Sequence, residues 1–229
     1  MKKDKLSYTA LSQFDKSPNH LLAYWNKEFK ASSEMKKGAL GHLLILEPEQ
    51  FEDKYKIYSG TRRGKLWDEF KALNDDKDII TIKEYNETNE LVKTVKQNNV
   101  LMDLMASLDE TEKHIELQPF NVDFHGFIDG VNNDCIVDIK FCQDSGERFI
   151  RELEYNNHTL QASMYLDAFN YDRDYLLVAI EKNPPFNVSI YRLGWDMINT
   201  GKERYFNIVN RYIQWDVETC GYSQTIIDL

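Results

Sequence analysis

The chain has 229 residues, with 28 Lys and Arg against 38 Asp and Glu, for a net charge of −10. Its 13 Tyr, 12 Phe and 4 Trp exclude a disordered chain, and no apolar run approaches the roughly 20 residues of a membrane span. The acidic balance argues against a general electrostatic grip on nucleic acid, although bound cations or a local basic patch can still hold phosphate on an acidic protein.

The basic head MKKDK is followed by polar residues that leave no signal-peptide core, so a cytoplasmic location is expected. Cys135, Cys142 and Cys220 form no CxxC pair, which suits a reducing compartment and argues against zinc or iron–sulfur sites. LSYTALSQFDKSPNHLLAYWNKEF has cap-type residues and helical spacing, with Ser17 and Pro18 starting a second helix. SSEMKKGALGHLLILEPEQF reads as a helix to about Leu46, ended before Pro48. YKIYS is a strand candidate; RRGKLWDEFKAL, IKEYNETNELVKTVKQNN and VLMDLMASL read as helical.

A β-rich middle follows, with strand candidates in KHIELQPF, NVDFHGFIDGV and DCIVDIKF. RFIRELEYNNHTLQASMYLDAF is helical at least from Asn157, and YLLVAIEK and FNVSIYRL are strands divided by Asn183-Pro184-Pro185. A long amphipathic helix from Trp195 to about Val217 closes the pattern. The expected architecture is α+β in α/β/α layers, a central mixed sheet of about five strands between helices in one domain, residues 1–229.

The chemistry concentrates in CIVDIKF. Asp138 and Lys140 are two apart on a strand and therefore share a face. Asn132-Asn133 suits a two-residue hairpin turn. Val131 would then face Asp134, and Asp129 would be the diagonal neighbour of Asp138 on the same face, roughly 7 Å away between backbones. A one-residue slip would undo this. Two such carboxylates repel if bare and buried, and a divalent cation with oxygen ligands, Mg²⁺ or Mn²⁺, removes that repulsion. Lys140 beside it could steer a water or offset transition-state charge in phosphodiester hydrolysis. A surface hairpin with a weak Asp–Lys ion pair is the alternative.

Three further features bear on the choice. His42 lies on a helix thinned by Gly38 and Gly41, where a ligand could come close, and is either a metal ligand or a satisfied core residue. Gln161 and Tyr165 are spaced i, i+4 and share a helix face, either orienting a phosphate or water or serving ordinary packing. Glu116, in the strand before the hairpin, is either a third acid at the metal or a surface glutamate.

His42, Asp129, Asp138-Ile139-Lys140 and Gln161 to Tyr165 occur in the order used by PD-(D/E)XK nucleases of the RecB/RecE type, which the chain resembles from about Leu6 to about Leu193. LSYTALSQFDKSPNHLLAYW, KKGALGHLLILEPEQFEDKY and RRGKLWDEFKA are similar to segments of RecE-like exonucleases (the exonuclease VIII type). The resemblance implies a PD-(D/E)XK core and Mg²⁺-dependent degradation of double-stranded DNA from an end, usually of the 5′ strand. It further implies a phage or prophage recombination system, a single-strand annealing protein as partner, and a trimeric or tetrameric ring. Under it, His42, Asp129 and Asp138 hold the metal together with the Ile139 carbonyl, Lys140 acts on the water, and Gln161 and Tyr165 support the site. Glu116 matches less clearly.

Two departures stand out. Phe141-Cys142 occupies the place of two family threonines, and Leu40-Gly41 stands where relatives often carry a small hydroxyl residue before the histidine. Competing readings are an endonuclease of the same superfamily and a catalytically silent relative that binds DNA ends or a partner. The intact Asp129, Asp138 and Lys140 speak against the silent relative.

Overall fold

The computed structural model describes residues 5–27 and 31–216; Val217 and Cys220 lie outside them. β1 (Lys5–Leu6) leads into α1 (Tyr8–Lys16) and α2 (Pro18–Asn26). The side chains of Ser7 and Ser17 accept from the N–H groups of Ala10 and His20, and Pro18 sits in the first turn of α2, so the expected pair of capped helices is present. α3 (Ser33–Leu46) is capped by Ser32 and stops ahead of Pro48, where a 3₁₀ turn (Pro48–Gln50) and the short α4 (Phe51–Lys54) follow. Then come β2 (Tyr55–Tyr58), α5 (Lys65–Ala72), β3 (Asp78–Thr81), α6 (Ile82–Val95) and α7 (Asn99–Ala106).

β1 and β3 are short strands that periodicity does not reveal. β3 runs straight into α6, and only the Thr81–Glu84 capping box separates them. β2 and β3 pair in parallel as a separate two-stranded sheet.

The central region is β4 (Glu110–Leu117), β5 (Asp123–Val131), β6 (Cys135–Cys142), α8 (Glu147–Tyr155), α9 (His158–Asp167), β7 (Asp174–Glu181), β8 (Val188–Arg192) and α10 (Trp195–Gln214). The six-stranded mixed sheet has β6 parallel to β7 and β8 antiparallel to β7. β4 pairs antiparallel along one edge of β5, from Glu110↔Val131 to Leu117↔Phe124. The other edge of β5 is divided: β1 pairs it at Asp123 and Phe124, and β6 at Gly130 and Val131. Among the described residues, the stretch of β5 between those ends has no strand beside it on that edge, and this gap positions the site.

Alternation on β6 builds two cores. Ile136 packs with Phe14, Phe124, Tyr175, Leu160 and Tyr205 under α1, α9 and α10. Val137 and Ile139 pack with Leu40, Leu91, Val95, Leu101 and Val178 under α3, α6 and α7. The result is a sheet with helices on both sides, as expected. Val137 and Ile139 are 0% and 1% exposed, and burying each side chain contributes about 1.5–3 kcal/mol. β6 is therefore rigid where it carries Asp138 and Lys140.

Candidate active site

The hairpin differs from the expected one. β5 and β6 pair as Gly130↔Val137 and Val131↔Ile136, so the register is moved by two residues from the one a two-residue turn would set. Asn132 is the cause. Its side chain accepts from the N–H of both Asp134 and Cys135, at 2.9 and 2.8 Å, and makes a wider turn. Continued one step, the register puts Asp129 directly opposite Asp138 rather than on a diagonal. Backbone pairing between the strands ends there, and the Ile139 N–H donates instead to Asp129 Oδ2 at 2.6 Å. The Asp129 carboxylate thus lies in the gap between the strands.

Two groups of side chains meet at this gap. In the first, His42, Glu112 and Asp129 bring ligand atoms within 4.8 Å of one another. His42 Nδ1 lies 3.5 Å from Asp129 Oδ2. The three come from α3, β4 and β5. Glu112 sits between the pairs Thr111↔Gly130 and Lys113↔Ile128, across from Asp129. Its backbone has φ 46°, in the left-handed region, a conformation costly for a side-chain-bearing residue and concentrated at functional sites.

Electrostatics there are unbalanced without a cation. Burial and the neighbouring Asp138 charge push the Asp129 carboxyl up to about 7, against the pull of Lys140 and the Ile139 N–H. Burial and Asp129 raise Glu112. Burial and Lys140 lower His42 and keep its imidazole neutral, the form that ligates.

In the second group, Lys140 Nζ donates to Asp138 Oδ1 at 2.8 Å and to Gln161 Oε1 at 2.9 Å. It is also 2.8 Å from Asp138 Oδ2, but that oxygen is buried without a hydrogen-bond partner in suitable geometry. The Lys140 ammonium is thus the charge set against this buried carboxylate. Asp138 is 4% exposed and Gln161 8%. Tyr165 is held under the sheet, its ring filling the space beside Gly126, where a Cβ would come within 2.8 Å of it. Burial pushes the Tyr165 hydroxyl up, with Gln161 acting in the opposite direction.

The donor set fits a small divalent cation. An octahedral Mg²⁺ with ligands at about 2.1 Å places neighbouring ligands about 3 Å apart and opposite ones about 4.2 Å apart. Ligand atoms within 4.8 Å of one another need only a small contraction to reach that.

The structure therefore brings together His42, Asp129, Asp138, Lys140, Gln161 and Tyr165. Ile139 contributes its N–H to Asp129. Glu116 is not brought there. It is exposed and pairs with Lys5 at 2.5 Å, and Lys5 holds its carboxyl below the usual range. Glu112 lies there instead. The signal that could have found Glu112 is cross-strand counting, since it is the acid facing Asp129 on the neighbouring strand. Of the basic side chains, Arg62 is engaged by Glu84 at 2.7 Å and the Ile79 carbonyl at 2.8 Å, and Arg148 is paired with Glu152.

One residue from each departure, Gly41 and Phe141, meets the other. A Cβ on Gly41 would lie 2.5 Å from Phe141 Cζ, and the nearest atom to a Cβ on Gly38 is also on the Phe141 ring, at 4.0 Å. The ring packs edge-on against His42 with centroids 5.4 Å apart. Phenylalanine fits where a threonine would stand because Gly41 leaves the room.

Comparisons agree with this geometry. Among curated proteins none matches the sequence. Among solved structures, a candidate exonuclease from Eubacterium rectale aligns with TM-score 0.64 and 13% identity, covering 95% of this chain and 86% of its own. At that identity the likeness establishes the fold. A second structure, SSO0001, aligns with TM-score 0.32 and 18% identity over 78% of this chain and 87% of that one, and carries no argument. Residues 7–219 match the family described as a PDDEXK-like domain of unknown function (DUF3799). With the ordered site on a PD-(D/E)XK sheet and a family match over nearly the whole chain, the protein belongs to this PDDEXK-like family.

Proposed function

We propose that the chain, as one domain, is a metal-dependent exodeoxyribonuclease that hydrolyses phosphodiester bonds from the ends of double-stranded DNA. The observation that carries this reading is the convergence of His42, Glu112 and Asp129 beside the Asp138–Lys140–Gln161 chain. His42, Asp129 and Asp138 would hold Mg²⁺ or Mn²⁺, with Glu112 in place of Glu116 and the Ile139 carbonyl as a further ligand. The cation would supply Lewis-acid polarisation of the scissile phosphate and a more acidic water.

The protein's own groups set the geometry. Lys140 is a three-donor cation with two donors engaged by Asp138 and Gln161, which fixes where the remaining one points. It steers the attacking water and offsets negative charge on the phosphoryl oxygens in the transition state. Gln161 and Tyr165, on the buried α9, hold it there.

The end-dependent reading, with 5′ to 3′ polarity and 3′ single-stranded tails, rests on the RecE-like segments of the sequence. So do the phage-type recombination role, the single-strand annealing partner, the trimeric or tetrameric ring and the cytoplasmic setting. No helix among the described residues is long and apolar enough to cross a membrane.

The test is incubation of purified protein with Mg²⁺ and either linear or covalently closed duplex, with the Asp138→Ala variant alongside. Linear DNA is shortened, the closed circle is spared and the variant is inactive. Cutting of the closed circle would instead make it an endonuclease.

A further inference from the structure

Beside the site lies a cavity of about 510 Å³, within the size range of small-ligand pockets. It adjoins the site through His42, whose ring packs edge-on against Phe141, a residue of the cavity lining. We propose that this cavity receives one unpaired nucleobase of the DNA strand being cut. The proposal rests on the nuclease reading above and deepens it by naming what sits next to the scissile phosphate.

The lining selects a neutral aromatic ligand. Phe141 and Phe186 present rings to it, and bases stack on aromatic side chains without regard to sequence. Its two cations are already matched: Lys37 pairs with Glu87 at 2.9 Å and Lys182 with Glu34 at 3.8 Å. Glu90 also lines it, so the charges are two cations against three acids. Such a lining repels phosphate and accepts a heterocycle. At the rim, Asn183 Nδ2 donates to Gln143 Oε1 at 3.2 Å. That leaves the Gln143 amide donors and the Asn183 carbonyl to meet the polar edge of a base.

Phe186 has φ 60°, the left-handed region that a bulky residue rarely adopts. The turn between β7 and β8 thus holds this ring over the cavity in a conformation the chain would not choose locally. The Phe-for-Thr exchange at Phe141 gains a purpose. The ring at Phe141, on β6, lies against the glycine-thinned face of α3 and beside His42, which adds a stacking face next to the site.

The test uses the Asp138→Asn protein with Mg²⁺, so that DNA is bound and not consumed. Oligonucleotide duplexes with short frayed ends carry 2-aminopurine at one near-end position each. Binding is read by anisotropy and stacking by 2-aminopurine quenching. One position is quenched on binding, and Phe186→Leu abolishes that quenching and weakens binding about tenfold, the worth of one base–aromatic stack. Asn183→Ala, at an exposed position, keeps the fold and reduces the preference among the four bases at that position. Quenching equal in all three proteins, with DNA still bound, overturns the pocket and leaves the nuclease reading standing. Absence of DNA binding in every protein overturns both.

Discussion

Gly41→Ala tests the packing beneath the site. The added methyl would lie 2.5, 3.0 and 3.3 Å from Cζ, Cε2 and Cε1 of Phe141. Carbon contacts settle at about 3.5–4.0 Å, so the ring must retreat by about 1 Å. His42 stands against one side of the ring, so the retreat must be taken toward the cavity that Phe141 lines, at the expense of its present packing. Overpacking of this kind costs about 1–3 kcal/mol, while replacing a mid-helix glycine by alanine returns about 1 kcal/mol of helix propensity. The single variant should therefore be destabilised by on the order of 1 kcal/mol. In a Phe141→Ala background the obstruction is gone, and the same substitution should stabilise by about 1 kcal/mol. Urea unfolding midpoints for the four proteins of this cycle measure the coupling. A Gly41→Ala effect of the same sign and size in both backgrounds refutes the claim that Phe141 fits because Gly41 leaves the room.

Cation binding should be linked to pH. The Asp129 carboxyl, pushed up to about 7 from a usual value of 3.8, keeps a proton in the folded protein that the unfolded chain has lost. Cation-free stability should therefore fall as pH rises from about 4 to about 7. Mg²⁺ or Mn²⁺ should raise the melting temperature more at pH 8 than at pH 5.5, where it must displace that proton; equal stabilisation at both would contradict the assignment. Glu112→Gln should weaken Mn²⁺ binding by at least about tenfold in calorimetry, as loss of a ligand-shell carboxylate does. Glu116→Gln should bind as wild type, and the reverse pattern would restore Glu116.

Much of the fold was legible because its strands and helices are long enough to show a period. The capped pair α1–α2 and the stop before Pro48 follow from local chemistry alone. β1 was not legible, since two residues carry no period and it exists only through pairing with β5. In the site, His42, Asp138 and Lys140 were readable as an ordered set. The placement of Asp129 was reached through the wrong turn. The backbone preference of Asn132 points to a two-residue turn, whereas its side chain shapes the turn and moves the register by two. Glu112 is not readable from sequence, because an acid at either end of β4 looks alike until the pairing with β5 is known. The Gly41–Phe141 fit was not readable either, since the two residues are distant in sequence and meet only when α3 lies on β6.

The account stands most directly on one measurement: anomalous scattering from crystals of the protein soaked in Mn²⁺. The prediction is a peak in the gap between β5 and β6, touching Asp129, with His42 and Glu112 among its ligands and the Asp138 Oδ2 turned toward it. A Mn²⁺ peak held by other residues, or no peak at this gap in crystals that bind Mn²⁺ elsewhere, would contradict a cation-dependent centre here.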